Sequence, residues 1–209
     1  MDDSNERKFQ KELNGGLVGL VLLAVLAETN EDLYGYEIAK RLASANDGTS
    51  IFKEGTIYPV LRALSAGEPV DEIVDRLVLP LVEKAVPEWQ ATLDALLSLP
   101  EIGGPVGYTG GVIAIGIRLA VVEPRISAAV FFAGSFVPAA LFEEARQVTI
   151  PLQVLLQWDD EGNDRQSALD LFDAFGSSEK TLHANLGGHT GVPQFEVDDG
   201  ARFFARHLS

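Results

Sequence analysis

Apolar residues recur at helical spacing through the first third of the chain, then at alternating strand and helix spacing through the rest. Over Leu13–Glu28, the residues Leu17, Leu20, Val21, Ala24 and Val25 fall on one stripe, which predicts a buried helix. A turn follows at Thr29-Asn30-Glu31-Asp32, and Tyr36 to Ala45 reads as a second helix with Ile38 and Leu42 on its core face. Asn46-Asp47-Gly48 breaks that helix, and Gly55 to Leu64 reads as a third. Three short helices with tight turns suit a helix-turn-helix unit. From Glu68 onward the pattern changes. Val70 to Leu99 is a long helical stretch in which Pro80 and Pro87 are expected to kink or break the helix. Strand patterns at Pro105–Tyr108, Ala128–Ala133, Leu152–Gln157 and Lys180–Ala184 alternate with helix patterns at Val112–Val122, Ser167–Phe175 and Val197–His207. That alternation predicts an α/β fold, a parallel sheet covered by helices on both faces.

Composition narrows the chemistry. The 209 residues are 46% hydrophobic with a mean hydropathy of +0.12, which suits a chain with a packed core. There is no cysteine, which excludes disulfides, thiolate metal sites and a cysteine nucleophile. Net charge is −15, unevenly spread: residues 1–65 hold 7 Lys and Arg against 10 Asp and Glu, residues 66–209 hold 9 against 21. Long-range attraction to a phosphate backbone is therefore unfavourable, and any DNA contact has to come from a local basic patch. The apolar run Leu17–Ala27 follows Arg7, Lys8 and Lys11, but Asp2, Asp3, Glu6 and Glu12 spoil a basic leader and the run is too short to span a bilayer. The expectation is a cytoplasmic protein with no membrane partner.

The residues that carry chemistry lie in loops after the predicted strands. Gly107-Tyr108-Thr109-Gly110-Gly111 comes first, then Asp160 in Gln157-Trp158-Asp159-Asp160-Glu161, then His189 in Gly187-Gly188-His189-Thr190-Gly191. Nucleophile, acid, histidine is the chain order of α/β-hydrolases, and GYTGG is the G-x-S-x-G elbow with threonine in place of serine. In that reading Thr109 is the nucleophile, the N–H of Gly110 faces the developing oxyanion, His189 takes the nucleophile's proton and Asp160 orients the imidazole. Asp159 is the alternative acid. Other readings of the same letters are a loop histidine at 189 and a solvated acidic turn or weak cation site at Asp159, Asp160, Glu161 and Asp164. His183 reads as packing or surface, and His207 as solvated. No Walker-type phosphate loop and no metal-ligand histidine spacing is present, so neither a cofactor nor a metal is expected.

Two resemblances sharpen these patterns. "LYGYEIAKRL" (Leu33 to Leu42) followed by "FKEGTIYPVLRAL" (Phe52 to Leu64) resembles the PadR family of transcriptional regulators, across about residues 12–64. The likeness implies that Gly55–Leu64 is a recognition helix with Thr56, Tyr58 and Arg62 near DNA, and Lys40 and Lys53 as phosphate contacts. A β-wing and a dimerisation helix would follow in such proteins, whereas here Leu64 is followed by Ser65-Ala66-Gly67-Glu68-Pro69. "GPVGYTGG", "LLQWDDEGND" and "TLHANLGGHTG" make about residues 70–209 resemble the C-terminal part of α/β-hydrolases of the esterase or dienelactone-hydrolase type.

The resulting expectation is two modules. Residues 1–65 form a small all-α helix-turn-helix segment without its wing, and residues 66–209 form the C-terminal part of an α/β-hydrolase. The first function expected is ester hydrolysis of a small-molecule substrate, with activity weak or lost. The Thr109 methyl crowds the elbow, and the early strands, with the loop that supplies the second oxyanion N–H, are missing. The alternative is a DNA-binding regulator, acting through residues 1–64, whose hydrolase-like part senses a ligand or mediates assembly. A truncated parallel sheet exposes a strand edge, which points to a homodimer.

Overall fold

Four parallel strands carry the second half of the chain. In the computed structural model, residues 66–209 are described apart from 111, 135–136, 161–162 and 189–190. The chain divides into two compact units, 1–81 and 82–209. The expected helix-turn-helix, with Lys40, Lys53, Thr56, Tyr58 and Arg62, lies outside the described residues, as do Glu161 and His189.

The described elements run α1 (Val70–Leu97), β1 (Val106–Thr109), α2 (Ile113–Val122), β2 (Ile126–Phe132), α3 (Ala139–Ala145), β3 (Leu152–Gln157), α4 (Arg165–Ala174), β4 (Lys180–Asn185) and α5 (Gln194–His207). The strands lie in the order β1-β2-β3-β4, every neighbour parallel, with Thr109 opposite Val130, Phe132 opposite Leu155 and Gln157 opposite Asn185. The α/β reading holds, and each predicted strand is present within two residues of its expected ends. Two local features go beyond the sequence pattern. The prolines at 80 and 87 do not break α1, whose helical run is continuous through both; buried Val82, Ala85, Val86 and Leu93 provide packing that outweighs a lost N–H at each proline. The seven-residue α3 was not anticipated, since it opens at Pro138 without a side-chain cap and is too short to show a periodic stripe.

Alternation along the strands assigns the faces. Tyr108 points toward α2: a Cβ on Gly116 would lie 2.6 Å from its ring and 2.7 Å from that of Phe131, so only glycine lets α2 approach this closely. On that side the rings of Trp89, Tyr108, Phe131 and Phe175 form a chain of contacts with centroids 6.0, 5.8 and 5.6 Å apart. Burial pushes the Tyr108 hydroxyl up to about 12. α2 packs on α3 and α3 on α4, and Arg118 of α2 grips Glu144 of α3 through both guanidinium edges. The opposite face belongs to α5: Phe204 lies over Gly107, and Gly200 faces Val130.

Charged groups close the helix ends. Lys180 Nζ donates to the carbonyls of Phe172, Asp173 and Phe175 at 2.8, 3.0 and 2.8 Å, satisfying the end of α4. Glu123, 2% exposed, accepts from Arg125 Nε and Nη2 at 2.6 Å each, while Arg125 Nη1 reaches Asp94 of α1 at 2.5 Å. These bonds tie the C-terminal turns of α1 to the entry of β2.

The Arg125 guanidinium holds the Glu123 carboxyl down at about 2, against an ordinary 4.5. A depressed folded value means the ion pair stabilises fully above the ordinary value and is lost as pH falls toward the folded one. Glu123→Gln is therefore expected to lower Tm by about 2–8 °C near pH ~7, roughly 1–2 kcal/mol. The gap from the parent protein should narrow between pH ~4.5 and ~2 in thermal unfolding scans. A gap that stays constant across that range would overturn the assignment.

Candidate active site

Parallel strands all end at one edge of the sheet, and Thr109, Gly110 and Asp160 stand there. Thr109 is the last residue of β1, exposed, and Gly110 follows with φ of +78°, a left-handed conformation that favours glycine. The chain then enters α2, whose N-cap residue Val112 makes no side-chain cap bond. The first amide groups of α2 thus lack a capping side chain beside the turn that carries Thr109.

Two strands away, β3 ends at Gln157 and turns through Trp158, Asp159 and Asp160. The two aspartates have different surroundings. Asp159 accepts hydrogen bonds from the backbone N–H of Gly187 at 2.9 and 3.1 Å and from that of Gly188 at 3.0 Å. The N–H groups of Gly188 and Gly187 hold its carboxyl below the usual range. Asp160 instead accepts from the Asn163 side chain and is half-buried. Asp164, the fourth acidic residue of this stretch, caps α4 through Gln166 N at 3.0 Å and Ser167 Oγ at 2.9 Å. Asp159 and Asp164 thus both have structural partners, which accounts for two members of the acidic turn without a cation.

The β4–α5 loop leads to residue 189. Gln157 Nε2 donates to Gly188 O at 2.9 Å and Trp158 N to Asn185 O at 2.7 Å, so the end of β3 fastens the start of that loop. Gly187 has φ of +139° and Gly188 +64°, and a Cβ on Gly191 would lie 2.0 Å from Gly187 O. Glycine is required for the loop to close on itself this tightly. Of the predicted residues, the structure therefore brings Thr109, Gly110 and Asp160 to one sheet edge.

A second grouping lies on the α5 face and was not signalled by the sequence. His183 of β4 and Glu196 and Asp199 of α5 offer donor atoms within 4.8 Å of one another. The i, i+3 spacing of Glu196 and Asp199 was the one readable hint; that β4 faces them needs the strand–helix pairing.

Comparison with known proteins gives both resemblances substance. The model of the transcriptional regulator PadR-like family matches residues 22–75. Solved structures of a novel cold-adapted esterase from an Arctic intertidal metagenomic library match 66% of this chain. The native form is 31% identical with a TM-score of 0.56, the PEG-bound form 31% with 0.56, and the zinc-bound form 29% with 0.57. The chain spans 61–64% of the length of those esterase chains, less than two thirds. A comparison with curated proteins gives no match. The chain combines an N-terminal PadR-like region with a C-terminal region homologous to an esterase of α/β-hydrolase fold. Among the described residues, no helix is long and apolar enough to cross a membrane.

If Asp159 fastens the loop, Asp159→Ala should speed hydrogen exchange of the Gly187 and Gly188 amides by at least about tenfold while β3 and β4 amides keep their protection. Unchanged exchange at those two glycines would show that the loop is held by other contacts.

Proposed function

We propose that the C-terminal module is an ester hydrolase of the α/β-hydrolase type with a handicapped nucleophile, acting on a small-molecule ester. In this reading Thr109 Oγ1 attacks the ester carbonyl carbon as His189 takes the hydroxyl proton, giving a tetrahedral oxyanion. The N–H of Gly110 and the uncapped start of α2 stabilise that oxyanion. His189 returns the proton to the leaving alcohol, and water then releases the acid from the threonine ester by the same route. Asp160 orients His189, while Asp159 positions the loop that carries the histidine. The observation that supports the reading is that Thr109, Asp160 and the Gly187-Gly188 turn share the carboxyl edge of one parallel sheet, in a chain 31% identical to a solved esterase across 66% of its length.

Threonine at the elbow lowers the rate, because its extra methyl restricts χ1 where the chain turns most sharply. The division of labour proposed is residues 1–65 as a PadR-like segment and 66–209 as the hydrolase-type part, without a cofactor.

Hydrolysis of a short-chain p-nitrophenyl ester tests the triad. Thr109→Ser should raise kcat/KM by at least about tenfold, ~1.4 kcal/mol in barrier height, and His189→Ala should reduce it to the buffer rate. Equal rates for parent and His189→Ala would sink the assignment.

The PadR-like family match favours a second reading, a DNA-binding regulator in which Thr56, Tyr58 and Arg62 approach bases and Lys40 and Lys53 meet phosphates. Fluorescence anisotropy with a duplex enriched from a random pool should show saturable binding that Arg62→Ala weakens by roughly tenfold or more. No enrichment over a scrambled duplex would remove this reading.

A further inference from the structure

The α5 face carries chemistry that ester hydrolysis does not use. Glu196 is 4% exposed, a carboxylate enclosed between β4 and α5. One of its oxygens, Oε1, accepts from Asn185 Nδ2 at 2.8 Å; the other, Oε2, faces His183 Nδ1 at 2.8 Å. His183 Nδ1 also lies 3.5 Å from Gln153 Nε2, and one ring nitrogen cannot both donate to Glu196 and accept from Gln153. One helical turn on, one Asp199 oxygen accepts from Arg202 Nη2. Asn185 and Arg202 thus each hold one oxygen of a carboxylate, and the second oxygen of Glu196 already meets the imidazole. His183 and Asp199 also line a cavity of about 250 Å³ between β4 and α5, with room for water or a small ligand beside them.

We propose that His183, Glu196 and Asp199 form a binding site for one divalent first-row transition ion. The donor set is an imidazole nitrogen and two carboxylate oxygens, the mixture that suits Zn²⁺ or Mn²⁺. Its three donor atoms lie within 4.8 Å of one another, against the roughly 3.0–3.4 Å that separates neighbouring donors around an ion with ~2.1 Å bonds. A small closure of Asp199 therefore completes the set. Two carboxylates balance the charge of a divalent ion, and the outward hydrogen bonds of Glu196 and Asp199 hold them in aim as partners of metal ligands do. The cavity side leaves coordination positions open. Arg202 and Arg206 border it, so water or a small anion fills them. The site lies on the sheet face covered by α5, and its three ligands are none of the residues assigned to ester hydrolysis.

The test uses the full chain, stripped with a chelator and titrated with Zn²⁺ alone and with Mn²⁺ alone in a calorimeter. One equivalent should bind, and the bound ion should raise Tm. His183→Gln keeps a hydrogen-bond donor for Glu196 while removing the imidazole ligand, and Asp199→Asn keeps the side-chain shape; each should weaken binding by at least about tenfold. His189→Ala should bind as the parent does, whatever becomes of esterase activity, since no step of the test reads turnover. Absence of saturable binding would overturn the site, as would affinity unaltered in both His183→Gln and Asp199→Asn. Binding lost in His189→Ala but kept in His183→Gln would place the ion elsewhere and overturn it equally.

Discussion

Parallel pairing is the constraint on which the rest of this molecule depends. Strands that run the same way cannot be joined by tight turns, so each needs a crossover, here a helix of seven to ten residues, between β1 and β2, β2 and β3, and β3 and β4. Those three helices gather on one face, with α2 against α3 and α3 against α4. Among the described residues, α5, after the last strand, lies against the other. The same geometry brings every strand to its carboxyl end at one edge, so residues 109, 160 and 187–188 share that edge although they are far apart in sequence.

Close approach at a few positions makes that arrangement tight. Gly116 admits the rings of Tyr108 and Phe131 against α2, and Gly107 admits Phe204 of α5 from the opposite side. A side chain at either point would push a helix off the sheet. The aromatic run from Trp89 to Phe175 then links the C-terminal turns of α1, the sheet and the end of α4 through contacts between rings. Two buried carboxylates inside this frame have partners: Glu123 with Arg125, and Glu196 with Asn185 and His183. An unpaired carboxylate in either place would be costly, since a charge taken out of water must recover its lost solvation from neighbours.

Sequence reading reached the architecture because its signals are local. Leu152–Gln157 is apolar enough to stand out as a buried strand, and glycines bracket the first and third of the three functional stretches. Pro80 and Pro87 do not break α1 because a helix packed along one side tolerates missing hydrogen bonds that an isolated one does not. Adjacent Asp159 and Asp160 were indistinguishable as letters. What separates them is which carboxylate meets the amides of Gly187 and Gly188, twenty-eight and twenty-nine positions away. His183 reads only as packing or surface for a similar reason: a lone histidine in a strand pattern gains significance from what packs over it.

By itself, then, the sequence determined the order of the strands and of every described helix but α3, the parallel class of the sheet, the PadR-like wording before residue 65 and the three stretches that spell an esterase-like trio. Each follows from periodicity, turn chemistry or short motifs, which depend on residues within a few positions of one another. Tertiary structure alone decided which aspartate fastens the histidine-bearing loop, and that His183, Glu196 and Asp199 converge beside a cavity. Those facts depend on strand register and on where α5 settles across the sheet. Both are set by the packing of surfaces distant in the chain, which no local pattern encodes.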